Sequence, residues 1–159
     1  MAVASSDGSR VLLGRQRKWP KNLYSSLAGF LEPGESVEEG VRREVWEESG
    51  VQVGRVVIHS TQPWPYPANL MIGAIAQAVP GGETIDLGND PELEDARWCE
   101  LKELRGVLDQ SSNSIDGLSE EKATRENLKL PPKTAIANQL LAAVAGGFLL
   151  DQSNKPELM

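Results

Sequence analysis

Residues 29–51 read GFLEPGESVEEGVRREVWEESGV, and their spacing decides how the rest of the chain is read. Val37, Val41 and Val45 recur every fourth residue, as the buried stripe of an amphipathic helix does. At ~100° per residue, Glu44 and Glu48 lie about 40° apart and Glu47 about 60° from Glu44. Three carboxylates therefore project from one side of one helix, and that side overlaps the valine stripe. The acids sit at the margin of the core, pointing toward whatever the helix packs on. Both helix ends are written locally. Ser36 with Glu39 three residues on forms a capping box, and Gly50 stands at the left-handed position that ends a helix. Gly34 after Pro33 supplies a tight turn. Gly29 removes a side chain where the backbone passes close to another group.

Like charges four residues apart destabilise an isolated helix by roughly 0.2–0.5 kcal/mol per pair. At a desolvated edge the penalty grows, because the dielectric falls. A divalent cation removes it, and converging carboxylate oxygens make a hard-ligand site of the kind Mg²⁺ or Mn²⁺ prefers.

The chain has 159 residues, 40% hydrophobic and 25% charged, which is enough for one domain with a real core. We expect that domain over 1–150, with a flexible tail at 151–159. The net charge of −7 argues against a broad nucleic-acid surface. Cys99 is the single cysteine, so the chain has no internal disulfide and no cysteine-based zinc site. His59, the single histidine, falls in an expected strand, which leaves a carboxylate or a metal-bound water as general base. The start of the chain lacks the pattern of a signal peptide. The apolar run 135–150 is too short and too polar to span a bilayer.

Along the chain, Met1–Ala4 reads as a strand that starts inside its element, as in a truncated chain, and residues 5–9 as a hairpin turn into a strand over Val11–Gln16. Further strands are expected at Tyr24–Leu31, Val51–Thr61, Leu70–Val79 and Leu93–Cys99, with a short return at Thr84–Leu87. Helices are expected at Glu100–Gln110 and Thr134–Leu149. Residues Ser111–Lys129 read as a polar surface excursion with a short helix near Ser119–Glu126. Strands with helices packed on them give an α/β sandwich with a mixed sheet.

Between two of the strands lies TQPWPYPANLM, residues 61–71. Its prolines fix φ, so ordering this loop on a ligand costs little. Trp64 and Tyr66 on such a loop offer stacking surfaces for a base. Gln62 and Asn69 can hydrogen-bond to ring or ribose groups.

Segment 29–51 resembles the Nudix box, G-x5-E-x7-R-E-U-x-E-E-x-G-U. It matches at Gly29, Glu35, Arg43, Glu44, Glu47, Glu48 and Gly50, with Val45 and Val51 at the apolar positions. Residues 61–69 resemble SQPWPFPxS, which follows the box in NADH pyrophosphatases of the NudC-like branch; Thr61, Tyr66 and Asn69 depart from it. The resemblance implies a Nudix fold, an α/β/α sandwich with mixed sheet, and metal-dependent cleavage of NADH or NAD into AMP and nicotinamide mononucleotide. NAD-cap removal from RNA is a related activity.

It further implies that Mg²⁺ or Mn²⁺ is held by the Ala28 carbonyl, Glu44, Glu48 and a distal glutamate, for which Glu92 is preferred to Glu94. Glu35 binds an outer metal or holds the loop. Glu47 accepts the proton, and Arg43 fixes a box carboxylate. The substrate meets Gln62, Pro63, Trp64, Pro65, Tyr66, Pro67, Ala68, Asn69 and, near the end of the chain, Ala137. Members of the branch carry an upstream domain and a four-cysteine zinc ribbon, neither of which stands in this sequence. They form homodimers, and their locations include cytoplasm and peroxisome; the last three residues, Glu-Leu-Met, are not a standard peroxisomal signal. The alternatives are a Nudix hydrolase for ADP-ribose or a dinucleoside polyphosphate, and a non-catalytic nucleotide-binding module.

Overall fold

A computed structural model describes residues 1–113 and 128–149. Five strands, β1 (Ala2–Ala4), β2 (Arg10–Gln16), β3 (Val53–Trp64), β4 (Asn69–Ala78) and β5 (Leu93–Glu100), form one sheet in the order β3-β4-β1-β2-β5. β1 runs parallel to β4 and antiparallel to β2, and every other neighbouring pair is antiparallel, so the sheet is mixed. Helix α1 (Val37–Ser49) covers one face, while α2 (Leu101–Asn113) and α3 (Ile136–Ala145) cover the other.

Strand periodicity sorts the core into two layers. Val3, Leu12, Ala74 and Ala76 meet Val41 and Val45 of α1. Their neighbours in sequence Ala2, Ala4, Val11, Leu13 and Ile75 meet Leu101 and Leu104 of α2 and Leu140, Leu141 and Val144 of α3. Only three residues long, β1 is nonetheless central and fully buried, because both its edges are paired.

Four expectations need correction. Tyr24–Leu31 is not a strand. Only single bridges form, Ser25 to Gly14 and Leu23 to Lys129: β1 covers β2 only at Val11 and Leu12, and on the edge left free beyond them the segment meets β2 at Gly14 alone. Thr84–Leu87 does not return to the sheet. Its backbone turns to the end of α1 instead, with Asp86 N–H donating to the Ser49 carbonyl at 2.8 Å. Ser111–Asn113 continue α2, and Leu128 is buried in the core. The helix expected near 119–126 and the tail at 151–159 lie outside the described residues. Finally, β3 runs on through Gln62, Pro63 and Trp64, and β4 begins at Asn69, so the segment read as a loop is a hairpin whose turn is residues 65–68. β3 is an edge strand with a partner on one side only, the kind of strand that tolerates a proline such as Pro63.

His59 packs edge-on against Phe148, with ring centroids 5.1 Å apart. Cys99 is buried and unpaired. No helix among the described residues is long and apolar enough to cross a membrane.

Candidate active site

Helix α1 begins and ends with its own residues. Ser36 Oγ accepts from Glu39 N–H at 3.2 Å while the Glu39 carboxylate accepts from Ser36 N–H at 3.4 Å. Gly50, at φ +72°, donates its N–H to the Trp46 carbonyl at 2.8 Å. A Cβ at Gly50 would stand 2.9 Å from the Cβ of Asp86, so a side chain is excluded twice, by φ and by the strap lying over it. That strap is sewn to the helix end by the Asp86–Ser49 bond and by Asn89 Nδ2, which donates to the Trp46 carbonyl at 3.3 Å. Glu92 follows directly. The C-terminus of α1 thereby delivers a distal carboxylate to the side of its own acids.

Arg43 is the hub of the cluster. Its Nε and Nη2 donate to the two oxygens of Glu35 at 2.8 and 2.9 Å, a two-pronged grip. Nη2 also donates to the Phe30 carbonyl at 2.8 Å, and Nη1 to Glu44 at 2.9 Å and Glu47 at 3.2 Å. The guanidinium, aided by the Glu32 amide, holds the Glu35 carboxyl down at about 2. Glu35 is thus tied to the loop rather than free in it. Glu44 accepts a further bond from Phe30 N–H at 3.0 Å, and a Cβ at Gly29 would lie 2.0 Å from its carboxyl carbon. The glycine leaves the space that the Glu44 carboxylate fills. Ala28, beside it, is exposed.

Glu48 differs from the other three. It is 2% exposed, and its Oε1 is buried without a hydrogen-bond partner. Burial first, then the charges of Glu92, Glu44 and Asp90, push its pKa up to about 8, with only the Met1 ammonium opposing. That ammonium donates to the Leu27 carbonyl at 2.6 Å and is itself lowered to about 6, mainly by burial. Two residues that sequence reasoning missed shape this corner. Gln16 Nε2 donates to Glu92 Oε1 at 2.7 Å, and Asp90 Oδ1 accepts from Glu92 N–H at 3.0 Å. The Asp-Pro-Glu turn around Asp90 was legible as a turn signal; Gln16 carried none. Glu94 pairs with Arg15 instead.

Among the described residues, no three acidic, histidine or cysteine side chains stand together as a formed ligand group. Glu44 and Glu47 are bonded to Arg43, and Glu92 to Gln16. The donor set nevertheless fits a hard divalent cation. It is all oxygen, and its innermost member is a desolvated carboxylate with an orphaned atom whose ionisation a cation would favour.

The aromatic hairpin lies on another face. A Cβ on Gly73 would meet Ile136 and Leu140 of α3, and Gly73 pairs with Ser60, so Ser60, Gln62 and Trp64 alternate onto the α3 side of the sheet. Trp64 is 45% and Tyr66 89% exposed. The ring of Trp64 is not core. Pro65, Pro67 and Ala68 are exposed in the turn, and Asn69 pairs with Trp64 across the hairpin. Both ends of the Gln62 amide are engaged: its Nε2 donates to the Thr134 carbonyl at 2.8 Å and its Oε1 accepts from Ile136 N–H at 2.8 Å. Ala137, half-buried in the first turn of α3, adjoins that bond. The structure therefore gathers the site residues in two groups, acids around α1 on one face and Gln62, Trp64, Asn69 and Ala137 around the start of α3 on the other. Two concavities, of about 410 Å³ at Ser6, Pro80 and Thr84 and about 250 Å³ between the 5–9 turn and α3, are lined by neither group's charged or aromatic residues.

Comparison with known proteins gives the lineage. The chain is 45% identical over 141 residues, 89% of its length, to the "NAD-capped RNA hydrolase NUDT12" of Macaca fascicularis, of which it covers 27%. It is 44% identical over 137 residues, 86% of its length, to the "NAD(P)H pyrophosphatase NUDT13, mitochondrial" of Mus musculus, of which it covers 38%. The chain thus spans between a quarter and two fifths of these relatives. A NUDIX family hydrolase from Clostridium perfringens superposes with a TM-score of 0.58 at 14% identity, covering 94% of this chain and 93% of that one, a likeness of fold. The NUDIX domain model matches residues 1–118, and with the capped, glycine-bounded acid helix in place, the chain belongs to the Nudix family.

Proposed function

We propose that this chain hydrolyses the phosphoanhydride of NADH or NAD, releasing AMP and nicotinamide mononucleotide, and that NAD at the 5′ end of an RNA is a further substrate of the same reaction. The observation that carries the reading is Glu48, a buried carboxylate with an unpartnered oxygen beside two other acids. An apolar or amide side chain would be the stable choice at that position unless a cation and a polyanionic ligand meet there. The choice of dinucleotide is supported by the names of the relatives, which state NAD-capped RNA and NAD(P)H.

Nudix enzymes use divalent cations, and here Glu44, Glu48, Glu92 and the Ala28 carbonyl would hold Mg²⁺ or Mn²⁺, with Glu35 next to them. Such a cation, when bound, neutralises the diphosphate and acidifies a water. The rest falls to side chains. Glu47, the most exposed of the box carboxylates that Arg43 holds, accepts the proton of the attacking water. Arg43 keeps Glu44 and Glu47 from drifting as charge accumulates. Trp64 stacks on one base of the dinucleotide. One P–O bond forms to the water oxygen and the bond to the leaving mononucleotide breaks.

The test is the initial rate of AMP release from NADH, NAD⁺, ADP-ribose and an NAD-capped oligonucleotide, with Mg²⁺ or Mn²⁺ and with chelator. Turnover of NADH or NAD⁺ that chelator abolishes is the expected result. No AMP from a folded sample with either cation refutes the reading, and faster turnover of ADP-ribose transfers it to that substrate.

A further inference from the structure

The first turn of α3 has no cap of its own. Ala135 occupies the N-cap with extended backbone, φ −84° and ψ 137°, and its side chain makes no cap bond. Ser, Thr, Asp or Asn is the usual residue there. The acceptor comes instead from Gln62, 74 positions upstream, whose Oε1 takes the Ile136 N–H at 2.8 Å. The same amide returns a bond through Nε2 to the Thr134 carbonyl at 2.8 Å. One planar group thus holds two backbone atoms two residues apart and fixes the entry of α3 on β3 in both distance and rotation. The seat beneath is close, since a Cβ at Gly73 would come within 2.8 Å of Ile136 Cδ1. The segment before α3 is also anchored at Lys129, whose backbone bonds Asn22 and Tyr24, and nearer the helix it is tied to α3 itself, through Asn138 to the Pro131 carbonyl and Gln139 to the Lys133 carbonyl. Two residues beyond Gln62 on the same strand face stands Trp64, and one residue beyond Ile136 stands Ala137.

We propose that Gln62 is a positioning residue for dinucleotide binding, which holds the Trp64 hairpin and the first turn of α3 in register without touching the ligand. The proposal rests on the reading of NADH as substrate. A ligand contact by the Gln62 amide would require it to swing away, taking the acceptor from Ile136 N–H at a helix start whose own N-cap residue, Ala135, offers no side-chain substitute. Held in place, it spares the ligand the ordering of the hairpin, which is where affinity is lost when a binding segment is loose.

A double-mutant cycle tests this, using Gln62→Met, which keeps the volume and removes both bonds, with Trp64→Ala. KM and kcat for NADH are measured with Mg²⁺, together with amide hydrogen exchange at Ile136. Losing a cap should raise KM about fivefold with a much smaller change in kcat, and exchange at Ile136 should quicken by roughly the same factor. In the Trp64→Ala background Gln62→Met should add nothing further to KM, because the two residues act as one unit. Gln62→Glu, which keeps the acceptor for Ile136 N–H but loses the donor to the Thr134 carbonyl, should slow exchange at Ile136 relative to Gln62→Met while recovering only part of the affinity. Additive KM penalties, or quickened exchange with KM unmoved, overturn the proposal. A parent protein that releases no AMP from NADH overturns the functional reading and this proposal with it, whereas normal parent turnover with additive penalties overturns this proposal alone.

Discussion

Helix α1 and the β3–β4 hairpin each carry a motif, and they are held in opposite ways. The acids of α1 are placed by near neighbours in sequence: Ser36 and Glu39 cap the helix, Gly50 ends it, and Arg43 ties down Glu35, Glu44, Glu47 and the Phe30 carbonyl. The hairpin is placed from far away, by α3 through Gln62 and by the close approach over Gly73. A motif held by its own residues is legible as a pattern. A motif held by a remote element is legible only as a list of residue types, and the work of each residue then waits on the fold.

The sharpest way to break the comparison is Glu48→Gln. Removing the buried carboxylate should lower kcat on NADH by about 10²–10³-fold, the scale of several kcal/mol of lost charge stabilisation. Stability should move the other way. The folded-state pKa of Glu48 is raised from 4.5 to about 8, so its contribution is fully present below pH 4.5 and is lost as pH climbs toward 8 in chelator. The Met1 amine, lowered from 8.0 to about 6, acts oppositely between those values, which places the steepest net loss between about 4.5 and 6. Urea midpoints of parent and variant at pH 5 and pH 8 isolate the Glu48 part. A gap that fails to widen in the variant's favour toward pH 8 would show that Glu48 is not a strained acid.

Arg43→Lys comes next. A lysine cannot span Glu35, Glu44, Glu47 and the Phe30 carbonyl at once, and the loss of such a supporting group costs roughly 10–100-fold in metal affinity or activity. Titration with Mn²⁺ and steady-state kinetics measure both. An unchanged Mn²⁺ midpoint would mean that the acids hold their places without the hub.

On the other face, Trp64→Ala should raise KM for NADH about tenfold, in keeping with ~1–3 kcal/mol for stacking on one base. Its melting temperature should barely change, since the ring is half-exposed. A large fall in melting temperature with KM intact would return Trp64 to a packing role. The smallest effect on activity is expected of Gly50→Ala, whose stability loss, read by thermal melting, should exceed the ~1 kcal/mol of the left-handed φ alone because its Cβ also meets Asp86. Its contact with Asp86 should also slacken the strap that leads to Glu92, visible as a weaker Mn²⁺ affinity.

Several elements were legible because their signals are short-range. The valine stripe, the capping box and Gly50 gave α1 to within a residue at its ends, and short apolar runs between turn signals gave β2, β4 and β5. Tyr24–Leu31 misled because a strand-like composition does not report how far a segment follows its neighbour, and this one meets β2 at Gly14 alone. Thr84–Leu87 misled for the related reason that its best backbone partner was a helix end. Gln62 looked like a ligand contact because an amide beside an aromatic suits a nucleotide, and nothing in the neighbouring residues reveals that Ala135 leaves a helix uncapped at the far end of the chain.

The sequence by itself determined that three acids share one side of a capped helix, because helical geometry converts spacing directly into direction. Only the tertiary structure decided that Glu48 is the buried one, that the Glu92 strap returns to it from the sheet, and that the Trp64 face belongs to α3. Desolvation, strand pairing and remote capping are properties of what packs against a residue, and no local pattern contains them.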